Sequence, residues 1–175
     1  MPANYRPAIA EDFEFMYSLY FHPDINPFLL YDPMERPEFV PVFNALMEQK
    51  VLYIFEYEGQ AAGMFKLIPL AHRTAHIAYV GGVAMSPAYA GKGLGKRLMA
   101  AIIDLARAMG LRRLELSTAT TNERAIRLYQ SVGFEPEGIL RQYSWLRPQN
   151  EFLDEVMMSL LLEPEDPNQI KFQKK

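Results

Sequence analysis

The sequence predicts an α/β (α+β) fold, with one mixed, mostly antiparallel sheet of six to seven strands and helices on both faces. Three observations carry this expectation. Apolar segments follow in the order strand, two helices, three strands, helix, strand, helix, two strands, which is not strict β-α-β alternation. Within that order, Ala75–Met85, the following helix and Leu111–Thr118 form one clear right-handed βαβ unit. A glycine cluster (Gly91, Gly93, Gly95) joins the first strand of that unit to its helix. That is the carboxyl end of a strand, where open α/β sheets bind ligands.

Taken in order, Tyr5 to Ile9 predicts a short strand. Glu11 and Asp12 open an amphipathic helix with Phe13, Met16, Tyr17 and Tyr20 on one side, ending before Pro23. Asp24 to Pro33 is a loop rich in apolar residues, among them Phe28, Leu29, Leu30 and Tyr31. It reads either as a flap anchored on the core by its aromatic rings or as a wall of a substrate pocket. Pro37 and Pro41 interrupt the next stretch, so a second helix is expected over Val42 to Gln49. Val51 to Tyr57 and Ala61 to Leu70 predict a hairpin around Glu58-Gly59-Gln60. Ala75 to Met85 is the next strand, and Gly81-Gly82 inside it suggests a bulge or a close backbone approach. Leu94, Leu98, Ile102, Leu105 and Met109 recur at helical spacing, with Gly110 closing the helix. After the strand at Leu111–Thr118, Thr120 and Glu123 fit a capping box for a helix that Gly133 ends. Phe134 to Leu146, irregular near Pro136-Glu137-Gly138, and Phe152 to Leu162 complete the sheet around a turn at Pro148-Gln149-Asn150.

The chain has 175 residues, half of them hydrophobic and 22% charged. This composition suits one globular domain over residues 1–163, followed by a tail at 164–175 with two prolines and a basic end. The net charge of −3 argues against a chain built to grip nucleic acid. The absence of cysteine excludes disulfides, thiolate metal sites and a cysteine nucleophile, and no metal is expected. No apolar run approaches the roughly 20 residues that span a bilayer, and the first residues lack the core of a signal peptide. A cytoplasmic protein without membrane contact is the expectation.

Chemistry concentrates in Ala84-Met85-Ser86-Pro87-Ala88-Tyr89-Ala90-Gly91-Lys92-Gly93-Leu94-Gly95-Lys96-Arg97. A helix starting among glycines presents unpaired N–H groups and a partial positive charge, and so suits a phosphate-bearing ligand. The spacing G-x-G-x-G is not the dinucleotide fingerprint. Ala90 and Arg97 also stand where a P-loop needs Gly and Ser/Thr. A tight turn that uses glycine only for geometry competes with the ligand reading. The run Ala90–Gly95 resembles the acetyl-coenzyme A loop of the GNAT acetyltransferase superfamily, Arg/Gln-x-x-Gly-x-Gly/Ala, except that Ala90 replaces the first residue. A second run, Asn122-Glu123-Arg124-Ala125-Ile126-Arg127-Leu128-Tyr129-Gln130-Ser131-Val132-Gly133-Phe134, resembles that superfamily's Asn-x-x-Ala-x-x-Leu-Tyr-x-x-x-Gly-Phe signature. The two occur in the expected order with one strand between them.

The resemblance implies an N-acetyltransferase that moves acetyl from acetyl-CoA to a primary amine by direct attack in a ternary complex. It assigns contact with acetyl-CoA to Val83, Ala84, Met85, Ala90, Gly91, Lys92, Gly93, Leu94, Gly95, Lys96, Asn122 and Tyr129. Backbone N–H groups near Val83 and Met85 would stabilise the oxyanion, and Tyr129 would be the general acid. A free phenol has a pKa of about 10 and a thiol about 8.5, so donation is plausible. Many relatives carry a carboxylate midway along the strand before the loop, and this chain has none there. His76 is a candidate base, or a structural histidine at a strand start. Glu115 and Glu56 are alternatives that fit solvated strand faces equally well.

The acceptor, a small molecule or peptide amine, stays open among amino-acid, polyamine and ribosomal-protein types. Asp154 and Glu155 either bind a cationic acceptor or form salt bridges to Arg141 or Arg147, and Arg141 could also meet an acceptor carboxylate. Homodimers are common in the superfamily, although nothing in the sequence marks an interface. A non-catalytic acyl-CoA-binding or sensing module, or a regulatory partner protein using the Phe28–Tyr31 surface, are the rival readings.

Overall fold

The computed structural model describes residues 4–162, so the tail expected at 164–175 lies outside the described residues. Seven strands form one sheet: β1 (Tyr5–Pro7), β2 (Leu52–Tyr57), β3 (Gln60–Pro69), β4 (Ile77–Met85), β5 (Arg113–Ala119), β6 (Glu135–Leu146) and β7 (Glu151–Leu161). Their spatial order is β1-β2-β3-β4-β5-β7-β6. Every neighbouring pair is antiparallel except β4 and β5, which the crossover helix makes parallel. Helices α1 (Phe13–Tyr20) and α2 (Arg36–Glu48) cover one face, and α3 (Leu94–Ala108) and α4 (Glu123–Ser131) the other. Each face therefore has its own apolar core. In one, Phe39 is fully buried within ring contact of Phe13, Tyr17, Tyr20, Phe21, Tyr31 and Phe43. In the other, Leu94, Leu98, Ile102 and Leu105 of α3 lie against Phe55, Phe65, Leu67 and Val80.

Three local expectations are corrected. The second helix begins at Arg36, not Val42. Pro37 sits in the first turn, where no N–H is needed, and the Glu38 carboxylate accepts from the Glu35 N–H at 2.8 Å. Pro41 then removes a single interior hydrogen bond from a helix whose Phe39 and Phe43 are buried, and packing outweighs that loss. The N-cap of α4 is Asn122, not Thr120: its Oδ1 accepts from the Ala125 N–H at 3.3 Å. Thr120 and Thr121 instead lie in a turn closed by Asn122 N–H donating to the Ala119 carbonyl at 2.9 Å. Met109, expected on the buried stripe of α3, is its C-cap and is exposed.

The predicted irregularity at Gly81-Gly82 is a bulge. Met64 pairs with Ala84 and Lys66 with Gly81, so Gly82 and Val83 together oppose Phe65. Gly82 takes a φ of +56°, a conformation that glycine adopts without strain. A Cβ there would also lie 2.9 Å from the Tyr20 hydroxyl. The β3–β4 pairing beside the bulge tolerates no bulk. A Cβ on Gly63 would meet the Ala84 carbonyl oxygen at 2.8 Å and Leu98 Cδ1 at 3.1 Å. Gly63→Ala is expected to destabilise the fold by about 1–3 kcal/mol, because a backbone oxygen cannot step aside. A urea unfolding midpoint equal to that of the parent would refute this.

Candidate active site

The two parallel strands pair over three residues each, Ile77–Tyr79 with Arg113–Glu115. Beyond that point β4 stays with β3 while β5 stays with β7 along its full length, so the strands part. The gap is a cleft of about 730 Å³. Tyr79 to Val83 line it from β4, and Leu116 to Ala119 from β5, with Asn122, Ala125 and Tyr129 beside them. The apolar loop before α2 and the β6–β7 turn close the remaining sides. An exposed strand edge presents N–H and C=O groups that need partners. From Val80 to Met85 that edge runs about 20 Å. An extended ligand bearing amides, such as the arm of coenzyme A, can pair with it.

The glycine turn lies beyond the carboxyl end of β4. Gly91 and Gly93 have φ of +76° and +68°, and a Cβ on either would have nothing within 4 Å. Gly93 is the N-cap of α3 and supplies no capping side chain, so the first N–H groups of the helix are free of one. The rim is positive: Lys92 stands 5.1 Å from the Tyr89 ring and Arg97 5.2 Å from the Tyr57 ring, and both, with Lys96, are exposed. These groups fit a diphosphate. Gly95 serves another purpose. A Cβ there would meet Leu128 Cδ2 at 3.1 Å, so this glycine lets α3 and α4 approach. The side chains of Ala84 and Leu94 are buried in the cores and that of Met85 packs against one of them, leaving backbone groups for a ligand. Ala90 is exposed.

Of the residues expected to contact the ligand, Val83, Asn122 and Tyr129 line the cleft. The Asn122 side chain is already occupied at the helix cap and by a 3.2 Å hydrogen bond from Nδ2 to Thr118 Oγ1. Its second amide hydrogen has no partner among the described residues. Tyr129 is buried against Phe134, and its hydroxyl makes no hydrogen bond among the described residues. Burial, reinforced by Tyr79, pushes this phenol up to about 12.

His76 does not reach the cleft. It is exposed just before β4 begins, where its carbonyl accepts from the N–H groups of Arg112 and Arg113. Six residues of strand, roughly 20 Å, separate it from the bulge. Glu115 is held by Arg113 at 2.8 Å and Glu56 by Arg6 at 2.8 Å. Two carboxylates line the cleft, Asp32, which Arg147 holds, and Glu155, which no cation holds among the described residues. Ser117 donates to its Oε2 at 2.5 Å and Ser144 donates to its Oε1. Because the single Ser117 proton goes to Glu155, the Tyr79 hydroxyl is the donor in its 3.0 Å bond to Ser117 Oγ. Neither salt bridge expected across the last hairpin forms. Asp154 accepts from the Gln142 N–H at 2.7 Å, and Arg147 pairs with Asp32 at 2.6 Å. In the apolar loop, Leu29 and Tyr31 pack on the core as a flap would, and Phe28 to Tyr31 also line the cleft. Lys66, Tyr79, Ser117 and Ser144 line the cleft without having been foreseen. The one signal in the sequence was a lone lysine inside Met64-Phe65-Lys66-Leu67-Ile68. Among the described residues, no cluster of three or more His, Asp or Glu suits a metal ion, and no helix is long and apolar enough to cross a membrane.

The split sheet, the bulge and the glycine turn define an α/β protein of the N-acetyltransferase fold. The chain belongs to the acetyltransferase (GNAT) family, whose sequence profile matches residues 10–134. It is 27% identical over 141 residues to spermidine N(1)-acetyltransferase of Escherichia coli K12, covering 77% of this chain and 74% of that protein. It is 36% identical over 83 residues to the uncharacterized N-acetyltransferase YjgM of E. coli K12, covering 47% of this chain and half of that protein. The structure superposes on spermidine N-acetyltransferase from Vibrio cholerae, solved in complex with CoA and spermine. The TM-score is 0.79 at 21% identity, over 90% of this chain and 94% of that one, which establishes the shared fold.

Gly93→Glu is expected to abolish acetyl-CoA binding, by placing a carboxylate at the helix N-terminus and straining a positive φ. Calorimetry on the folded variant tests it, and retained tight binding would remove the glycine turn from the ligand site.

Proposed function

We propose that this protein transfers the acetyl group of acetyl-CoA to a primary amine by direct attack within a ternary complex. The observation that carries the reading is a phenol with no protein partner, Tyr129, lining the split between two strand edges, one of them bulged. Acetyl-CoA as substrate supplies an activated thioester carbonyl. Residues of the chain supply the rest. Backbone N–H groups near Val83 and Met85 meet the oxygen on which charge develops. The amine nitrogen bonds to the carbonyl carbon, the carbon–sulfur bond breaks, and sulfur departs with the electron pair. Tyr129 faces that charge as a hydrogen-bond donor.

The raised pKa of Tyr129 refines its role as an acid. Full transfer from a phenol near 12 to a thiolate near 8.5 is uphill by roughly 5 kcal/mol. The proton therefore crosses only as the attacking amine loses its own, and Tyr129 is ready to recover one afterwards. Glu155 is the proposed destination of the amine proton. Two serine hydroxyls orient its carboxylate and leave further lone pairs for an ammonium. A covalent acyl-enzyme has no support in the cleft. The chain has no cysteine, and Ser117 and Ser144 bond a carboxylate with no histidine between. Among the relatives, one is named for spermidine, which carries primary amino groups, and others for mycothiol and for the alanine of ribosomal protein bS18.

Tyr129→Phe is expected to lower kcat by about 100-fold while sparing acetyl-CoA affinity. In the parent, no loss of rate from Tyr129 ionisation is expected below pH 10, because its proton is retained up to about 12. Thiol release followed from pH 6 to 10.5 measures both, and an unchanged kcat in the variant would remove Tyr129 from the mechanism. Glu155→Gln should shift the rising limb of the pH–rate profile upward, since the amine must then arrive neutral. An unmoved limb would exclude Glu155 as the proton acceptor. Acetyl-CoA binding without thiol release toward any amine would mark a sensing module instead.

A further inference from the structure

We propose that Lys66 makes the cleft select primary amines that also carry a carboxylate, amino acids above all, in preference to polyamines. This rests on the acetyl-transfer reading and narrows its substrate class. Lys66 is 5% exposed, in the middle of β3. Two charged residues are buried among those described, and they differ sharply. Asp12 is gripped by Arg6 at 2.7 Å, whereas Lys66 has no carboxylate within 4 Å and no hydrogen bond among the described residues. Its favourable neighbour is the Tyr31 ring, 5.2 Å from Nζ. A buried cation without a counter-ion is unfavourable unless something supplies one. Burial lowers the Lys66 pKa accordingly.

The fold holds this cation where an acceptor must pass. Lys66 pairs with Gly81 at the edge of the bulge. Its stem runs along the two glycines, with Cε 3.5 Å and 3.3 Å from where Cβ atoms at 81 and 82 would be. Larger residues there would crowd the lysine. The Tyr20 hydroxyl, buried and without a partner, lies in the same corner. Lys66 itself lines the cleft. In the order β3-β4-β5-β7, the split lies between β4 and β5. Lys66 therefore flanks it from one side and Glu155 from the other. Opposite charges on the two sides complement an acceptor with an ammonium toward Glu155 and a carboxylate toward Lys66. A carboxylate gives Lys66 a charge-assisted hydrogen bond. A polyamine would place a second cation beside it in a medium of low dielectric.

The test compares kcat/KM within matched pairs, leucine against 3-methylbutylamine and phenylalanine against phenethylamine, with spermidine alongside. The parent is expected to favour the amino acid of each pair by at least about tenfold, and spermidine to be poorest. Lys66→Met should collapse the ratio within a pair, and Lys66→Arg should keep it. Because the ratio cancels any general loss of activity, a structural role for Lys66 would leave it unmoved. Should Lys66→Met not fold, the parent still decides. 3-Phenylpropionate is expected to compete with the amine acceptor, and its amide is not. Spermidine as the best acceptor, or equal use of both members of each pair with acetyl-CoA binding intact, overturns the carboxylate assignment alone. Absence of both acetyl-CoA binding and thiol release overturns the acetyl-transfer reading beneath it.

Discussion

The cleft exists because two parallel strands pair for three residues and then separate. Neither β4 nor β5 is short. Each remains paired on its outer side, β4 with β3 and β5 with β7, so the sheet tolerates a split through its middle. The bulge at Gly82-Val83 lets β4 depart. An extra residue on one strand raises local twist and turns the strand away from its former plane. The parallel crossover also matters, because it puts the carboxyl ends of both strands, and the amino ends of α3 and α4, at the same mouth. The free N–H groups of α3, the cap of α4 and both open strand edges converge there as a consequence of topology.

A cleft made this way leaves polar groups at risk. A buried donor or acceptor without a partner costs about 1–3 kcal/mol. Most groups here have solved the problem internally. Tyr79 donates to Ser117, Ser117 and Ser144 donate to Glu155, and Asn122 bonds Thr118 and the backbone of its own helix. Lys66, the Tyr20 hydroxyl and the Tyr129 hydroxyl make no hydrogen bond among the described residues, and of these polar atoms the Tyr20 hydroxyl is the one cut off from the surface. Lys66 and Tyr129 line the cleft, and the Tyr20 hydroxyl lies against the bulge. Groups left unsatisfied while their neighbours form a closed network are those expected to meet a ligand, and they locate a site better than any one perturbed pKa.

Most of the chain's order was legible because punctuation was strong. Glycine or proline marks nearly every boundary, and the Gly82 bulge followed from two glycines in an apolar strand. Failures came where two local rules competed. Pro37 and Pro41 were read as breaks, yet a first-turn proline is harmless and buried phenylalanines carried the helix past the second. Thr120 and Asn122 are both good caps, and the turn closed at Ala119 decided for the later one. Val83, Asn122 and Tyr129, named through the resemblance, line the cleft. Glu155 was read as binding a cationic acceptor or bridging to Arg141 or Arg147, and its hydrogen bonds to two serines were not foreseen. Its partners Ser117 and Ser144 come from β5 and β6, and pairing through β7 depends on a register shift between Leu140 and Ser144. Lys66 illustrates a different limit. A lysine in a strand ordinarily extends its charge to water. Whether it can do so depends on α1 and the Tyr31 loop, which lie far from it in sequence.

The entrance is constructed differently from the interior. The Asp32–Arg147 bridge ties the apolar loop to the β6–β7 turn, with Arg147 also resting 5.4 Å from the Trp145 ring. Arg147 is solvent-exposed and Asp32 only half-buried, so the link contributes about 0–1 kcal/mol and weakens with salt. The strand edges and helix cap, by contrast, belong to cooperative elements of the fold. Strength thus grades from a rigid end at the strand edges and helix cap to a loosely closed entrance. Under the proposed reaction the rigid end would hold the thioester in place, and the amine and its acetylated product would pass through the part of the wall that opens at least expense to the fold.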